Sequence, residues 1–158
     1  METITRKFLV RNLPDLSKFE KTPSSRSYLY IGDEAVIRIQ NTGTKYELER
    51  KFDKSNLIRE EQKIEITKEE FESLSKLSDK HTSRDSYLIM DNPHTILRIY
   101  HGSYEGLIRA EVTFSSIEEA KKFVPLNWFD KEITDSQLAK ERTLLLLSEK
   151  DFRQLLLK

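Results

Sequence analysis

Cysteine is absent from the 158 residues, which excludes disulfides, thiolate metal sites and a cysteine nucleophile. A net charge is missing too. Lys plus Arg equals Asp plus Glu at 27 each, so no global field draws the chain to bulk nucleic acid or to an anionic membrane. No apolar run approaches the length needed to span a bilayer, and no secretory segment is present. A soluble, cytoplasmic protein is therefore expected. Repeats and low-complexity linkers are lacking as well, and the length suits one domain over residues 1–158 with a core of its own. His81, His94 and His101 fall in loops or at strand ends without metal-ligand spacing, which favours surface roles over zinc binding or general-base work. Thr82 and Ser83 have no paired base that would make either a nucleophile.

What the chain does contain is a succession of short strand signals. Thr3 to Val10 is β-branched and alternating. Leu13-Pro14-Asp15 ends it, and the stretch to Ser27 reads as a short helix or turn followed by a polar loop. Tyr28 to Ile31 and Ala35 to Gln40 form a hairpin pattern around Gly32-Asp33. Lys45 to Phe52 follows the turn at Asn41-Thr42-Gly43, and Leu57 to Ile66 follows Asp53-Lys54-Ser55-Asn56. Thr67-Lys68-Glu69-Glu70 is a capping box that opens a helix with Phe71, Leu74 and Leu77 on its apolar face. After a loop from Ser78 to Arg84, three more strands are expected at Asp85 to Met90, Thr95 to His101 and Leu107 to Phe114. Ser116 caps a helix from Ile117 to Phe123. Pro125 breaks it, Trp128 to Ile133 is extended, and Thr134 to Leu157 reads as a helical tail broken near Ser148. With no βαβ alternation, the pattern is an α+β antiparallel domain, and closing the sheet would hide its edges.

Charge recurs on alternate strand positions. Arg59, Glu61, Lys63 and Glu65 share a face, as do Arg38 and Gln40, while Arg98 and Glu111 interrupt apolar runs. Two arrangements produce this: solvated faces of an open sheet, or a barrel with a polar lumen. The residues alone leave both open, and neighbouring salt bridges such as Arg59 with Glu61 would need no ligand.

Three stretches resemble the CYTH, or triphosphate-tunnel, family. Thr5-Arg6-Lys7-Phe8-Leu9-Val10 resembles its opening strand. Leu107-Ile108-Arg109-Ala110-Glu111-Val112, with Gly102 and Gly106 before it, resembles its Gly-Leu…Ala-Glu-Val strand. Ser115 to Ala120, Pro125, Trp128 and Lys131-Glu132-Ile133-Thr134-Asp135 resemble its closing segment. The order holds from the first strand to about residue 138. The resemblance implies a closed antiparallel eight-stranded β-barrel with flanking helices, the barrel running to about residue 134 and a helical tail over about 135–158. It also implies triphosphatase or adenylate cyclase-like chemistry, in which basic residues hold phosphates and glutamates hold divalent metal.

Carried over to this chain, the resemblance assigns phosphate binding to Lys7, Arg38, Arg50, Arg59, Lys63, Arg84 and Arg98, and metal binding to Glu61, Glu111 and Glu132. Thr3, Thr5, Lys63, Arg98 and Thr113 stand where the family pattern has carboxylates. Glu2 cannot replace Thr3, because a one-residue shift turns the side chain to the other face. The lumen is thus expected to be rich in base and poor in acid, with no cofactor beyond weakly held Mg²⁺ or Mn²⁺. The leading expectation is a tunnel protein that binds a phosphate-rich small anion (triphosphate, polyphosphate or nucleotide) with little or no hydrolysis. The alternatives are a divalent-metal-dependent triphosphatase acting on nucleoside triphosphate or inorganic triphosphate, and a structural or interaction barrel without a ligand. Oligomeric state is not specified by the sequence.

Overall fold

The computed structural model describes residues 2–158. Its strands are β1 (Glu2–Leu9), β2 (Lys21–Ile31), β3 (Ala35–Asn41), β4 (Tyr46–Asp53), β5 (Ile58–Ile66), β6 (His81–Asp91), β7 (His94–Tyr100) and β8 (Ile108–Phe114). They are hydrogen-bonded antiparallel in the order β1-β5-β4-β3-β2-β6-β7-β8, and β8 returns to β1, so the eight form a closed ring. Among the described residues four short α-helices accompany them: α1 (Lys68–Ser75), α2 (Ile117–Lys122), α3 (Glu141–Leu144) and α4 (Glu149–Leu157). Among the described residues no helix is long and apolar enough to cross a membrane.

Local chemistry accounts for most boundaries. The β3–β4 turn needs a left-handed residue, supplied by Gly43 at φ 88°, and the Asn41 side chain accepts its N–H at 2.8 Å. The capping box of α1 forms in full, with the Thr67 hydroxyl accepting from Glu70 N–H and the Glu70 carboxylate accepting from Thr67 N–H. Ser116 and Ser148 cap α2 and α4 with the hydroxyl half of this arrangement alone, accepting from the N–H of Glu119 and of Asp151.

Three expectations change. Residues 21–27 are the first half of β2, paired with β6 from Lys21↔Tyr87 to Ser27↔His81, and not a polar loop. Their Ser, Thr and Arg side chains read as loop because one face of this strand meets a polar interior. For the same reason β6 starts at His81, inside the stretch expected to be a loop. The tail is helical only over α3 and α4, and Phe8↔Glu132 is a lone bridge between β1 and the Trp128 to Ile133 segment.

One of the two apolar clusters lies outside the ring. Phe8, Val10, Leu97, Ala110, Val112 and Phe114 turn outward from β1, β7 and β8 and pack against Ala120, Phe123, Trp128 and Phe129. A second cluster joins Leu9, Tyr100 and Leu107 to Ile133, Leu138, Leu144 and Phe152 of the tail. Burial of such side chains contributes about 1.5–3 kcal/mol each. With the apolar face outside, strand alternation leaves the charged face to the interior.

Candidate functional site

Thr3, Thr5 and Lys7 point inward from β1, and the register sets Thr5 beside Thr113 and Lys7 beside Glu111 of β8. On the other side of β1, β5 pairs Arg59 with Thr3, and Arg59 and Glu61 pair in turn with Asp53 and Lys51 of β4. Arg98 enters from β7, and Ala139 and Lys140 enter from the tail. Together these residues line a cavity of about 270 Å³, the first chamber. A second chamber of about 360 Å³ is lined by Arg26, Gln40, Glu49, Lys63 and Ser86, and it shares Lys51, Glu61 and Arg98 with the first.

The cations are closely surrounded. Lys7 Nζ donates to the Ala139 carbonyl at 2.7 Å, and Arg59 Nε to Asp53 at 2.9 Å. Lys51 lies 3.4 Å from Glu61, and Lys63 lies 3.2 Å from it. Arg98 donates to Ser86 at 2.7 Å and lies 3.4 Å from Glu111, which also pairs with Arg109 at 2.9 Å. Burial drives Lys7 and Lys51 well below the ordinary lysine value, and neighbouring guanidinium groups add to it. Burial and Arg84 push Arg98 down to about 10. Burial pushes Asp53 up, but Arg59 and Lys140 outweigh it and bring it down to about 2. Burial likewise raises Glu111, yet Arg98, Lys7 and Arg109 hold it well below the carboxylate range.

Behind the chambers the tail reaches into the end of the ring. Glu141, 4 % exposed, accepts from Tyr28 at 2.6 Å, Tyr100 at 2.7 Å and Thr82 at 2.9 Å. It lies 3.1 Å from Arg84 and 3.3 Å from Arg26. Arg38 joins through Tyr28 at 2.9 Å and Arg109 through Tyr100 at 2.8 Å. Burial would raise the Glu141 carboxyl, but Arg26, Arg84 and Arg38 keep it ionised well below its ordinary value.

Of the residues singled out from sequence, Lys7, Arg59, Arg98, Glu61 and Glu111 meet in the first chamber, and Lys63 lines the second. Arg38 and Arg84 belong to the inner cluster around Glu141. Two placements are corrected. Arg50 is exposed on the outer wall beside Tyr30, Asp33 and Glu34, because the register makes Glu49 and Lys51 the inward pair of β4. Glu132 is also outside, paired with Arg6 at 2.6 Å. The expected shortage of acid is corrected as well, since Glu47, Glu49, Asp53 and Glu141 join Glu61 and Glu111 against the lumen cations. Arg26, Lys51 and Arg109 were not singled out either. Alternation along Glu47, Glu49, Lys51 and Asp53 carried the signal for β4, whereas nothing in the tail pattern marked Glu141.

The donor set does not fit a divalent cation held by protein groups. Among the described residues no three Asp, Glu or His side chains gather for one. Glu61 and Glu111 share a chamber, but each faces Lys or Arg at ion-pair distance.

No family model matches the sequence. An inorganic triphosphatase from Nitrosomonas europaea is 30 % identical over 150 residues, covering 92 % of this chain and 98 % of that protein. The crystal structure of an inorganic triphosphatase superposes with a TM-score of 0.68 at 28 % identity, over 92 % of this chain and 95 % of the other. A putative adenylyl cyclase from Hippeastrum, described as having a dominant triphosphatase activity, shares the fold at a TM-score of 0.52 and 14 % identity, over 75 % and 82 % of the two chains.

Proposed function

Since the chain belongs to the CYTH, or triphosphate-tunnel, family, we propose that it is a triphosphatase that takes a triphosphate-type anion into the first chamber and hydrolyses it. The supporting observation is the convergence of Lys7, Lys51, Arg59 and Arg98 on one cavity. The relative of 30 % identity acts in the same sense, since it is an inorganic triphosphatase. Phosphoryl oxygens accept charge-assisted hydrogen bonds from ammonium and guanidinium groups, and such bonds are about twice as strong as neutral ones. The same cations meet the charge that moves onto the leaving phosphate as the P–O bond breaks, which is where stabilisation accelerates the reaction. A bound anion also draws Lys7 and Arg98 away from Glu111. Its carboxylate then regains basicity and can orient the attacking water.

A second reading, binding with little or no turnover, is favoured by one feature: Thr3, Thr5 and Thr113 line the chamber where the family resemblance implies glutamates. Phosphate release from inorganic triphosphate and from a nucleoside triphosphate separates the two, measured with Mg²⁺, with Mn²⁺ and with a chelator. Turnover that drops tenfold or more in Arg59→Ala and Lys7→Ala supports hydrolysis in this chamber. A rise in melting temperature with triphosphate but no phosphate release selects the second reading, because a ligand that binds only the folded state stabilises it. Neither effect would overturn both.

A further inference from the structure

Four arginines converge at the inner end of the lumen, and a carboxylate of the protein itself sits among them. Arg26, Arg38, Arg84 and Arg109 surround the Glu141 carboxylate, directly or through the hydroxyls of Tyr28 and Tyr100. The geometry copies anion recognition. Glu141 Oε1 accepts from Tyr28 and Thr82, while Oε2 accepts from Tyr100 and faces two guanidinium groups. One carboxylate does not exhaust these donors. Arg38 Nη2 and Arg84 Nε are buried without a hydrogen-bond partner among the described residues, and leaving such donors unmet is costly.

This cluster adjoins both chambers. Arg26 lines the second chamber while it pairs with Glu141, and Arg109 bonds Glu111 of the first chamber as well as Tyr100. The residues flanking Glu141 are anchored independently. Ala139 O accepts from Lys7 and Arg109, Lys140 pairs with Asp53 at 2.9 Å, and Arg142 donates to the Asp33 carbonyl at 2.9 Å. The carboxylate is therefore held in place from both sides along the chain.

We propose that Glu141 is a specificity-determining residue that sets how deep a phosphate chain can enter, by occupying as a tethered anion the ground that Arg26, Arg38 and Arg84 would offer to a further phosphoryl group. The inference rests on the anion-binding reading of the first chamber and deepens it. The substrate class it names is short linear phosphates, which are filled out by the chamber cations alone. Longer chains gain nothing from the inner arginines while Glu141 holds them.

The test is calorimetric titration at low salt with pyrophosphate, triphosphate and linear tetraphosphate, on the wild-type chain and on Glu141→Gln. The amide keeps the volume and an acceptor oxygen but removes the charge. The wild type is expected to gain affinity from pyrophosphate to triphosphate and then level off, with tetraphosphate within about threefold of triphosphate. The variant is expected to bind tetraphosphate at least tenfold more tightly than triphosphate. A wild-type affinity that climbs tenfold again at tetraphosphate overturns the proposal, as does the same chain-length dependence in both proteins. If circular dichroism shows that Glu141→Gln does not fold, the wild-type series decides alone by the same criterion. Binding by the variant but not by the wild type supports Glu141 as the competing anion while refuting wild-type uptake. Binding by neither overturns this inference together with the reading beneath it.

Discussion

Lys7 and Lys51 carry ammonium groups in surroundings that disfavour them, and that imbalance makes a prediction about protons. For Lys7, burial is the main cause of its low value, with Arg109 and Arg59 adding to it and Glu111 opposing. A folded-state pKa below the unfolded one means that the native chain binds fewer protons between the two values, so stability falls as pH drops through that window. A phosphate chain beside these lysines reverses the preference and raises both values. Anion binding is therefore expected to take up protons, and affinity is expected to fall as pH rises through the depressed values, well before the ordinary lysine pKa. Titrations between about pH 8 and 10 in two buffers of different ionisation heat measure the uptake. No uptake there would mean that neither lysine contacts the anion.

At the scale of elements, α4 fastens the end of the tail to the ring. Phe152 is 1 % exposed and packs edge-on against Tyr104 at 5.3 Å, in the cluster that also contains Tyr100, Leu107 and Leu144. Phe152→Ala is expected to cost about 3–5 kcal/mol, seen as a lower urea midpoint. A cost under about 1 kcal/mol would show that α4 does not anchor the tail. Thr67→Ala at the cap of α1 is expected to cost only about 1 kcal/mol. The sequence disclosed these elements unevenly, for a physical reason. Strands with one apolar face, such as β1, β3, β7 and β8, stand out by alternation, and α1 stands out by its capping box. The first half of β2 and the start of β6 were hidden, because polar lumen side chains look like loop. Arg50 was assigned to the wrong face because β4 carries charge on both faces, leaving parity dependent on the preceding turn. Glu141 was invisible, since only the folded path of the tail carries it among the arginines.

For the whole molecule, the interior network makes stability depend on carboxylates staying ionised. Glu49, Glu111, Glu141 and Asp53 all have folded values below their unfolded ones, each against a burial effect that alone would raise it. Groups of this kind contribute stability that is fully present above the unfolded carboxylate value of about 4 and is lost as pH falls through the folded values. The melting temperature is therefore expected to hold near its neutral value down to about pH 5 and to drop steeply below about pH 4. A melt that already declines steadily from about pH 7 to 5 would mean that these pairs do not carry the interior.

The closure of the ring by β1 on β8 also has a consequence for how the chain is made. Lys7 and its cross-strand neighbour Glu111 stand at opposite ends of the strand sequence, so at ordinary synthesis rates of about 5–20 residues per second the first strand waits roughly 5–20 s for its second partner to emerge. Until then the nascent sheet can grow hairpin by hairpin from β2 to β5, but it keeps open edges, and the apolar outer face of β1 at Phe8 stays uncovered. A chain halted before β8 emerges is thus expected to need shelter more than the closed ring does, because the seam between β1 and β8 cannot form until nearly all the strands have been made.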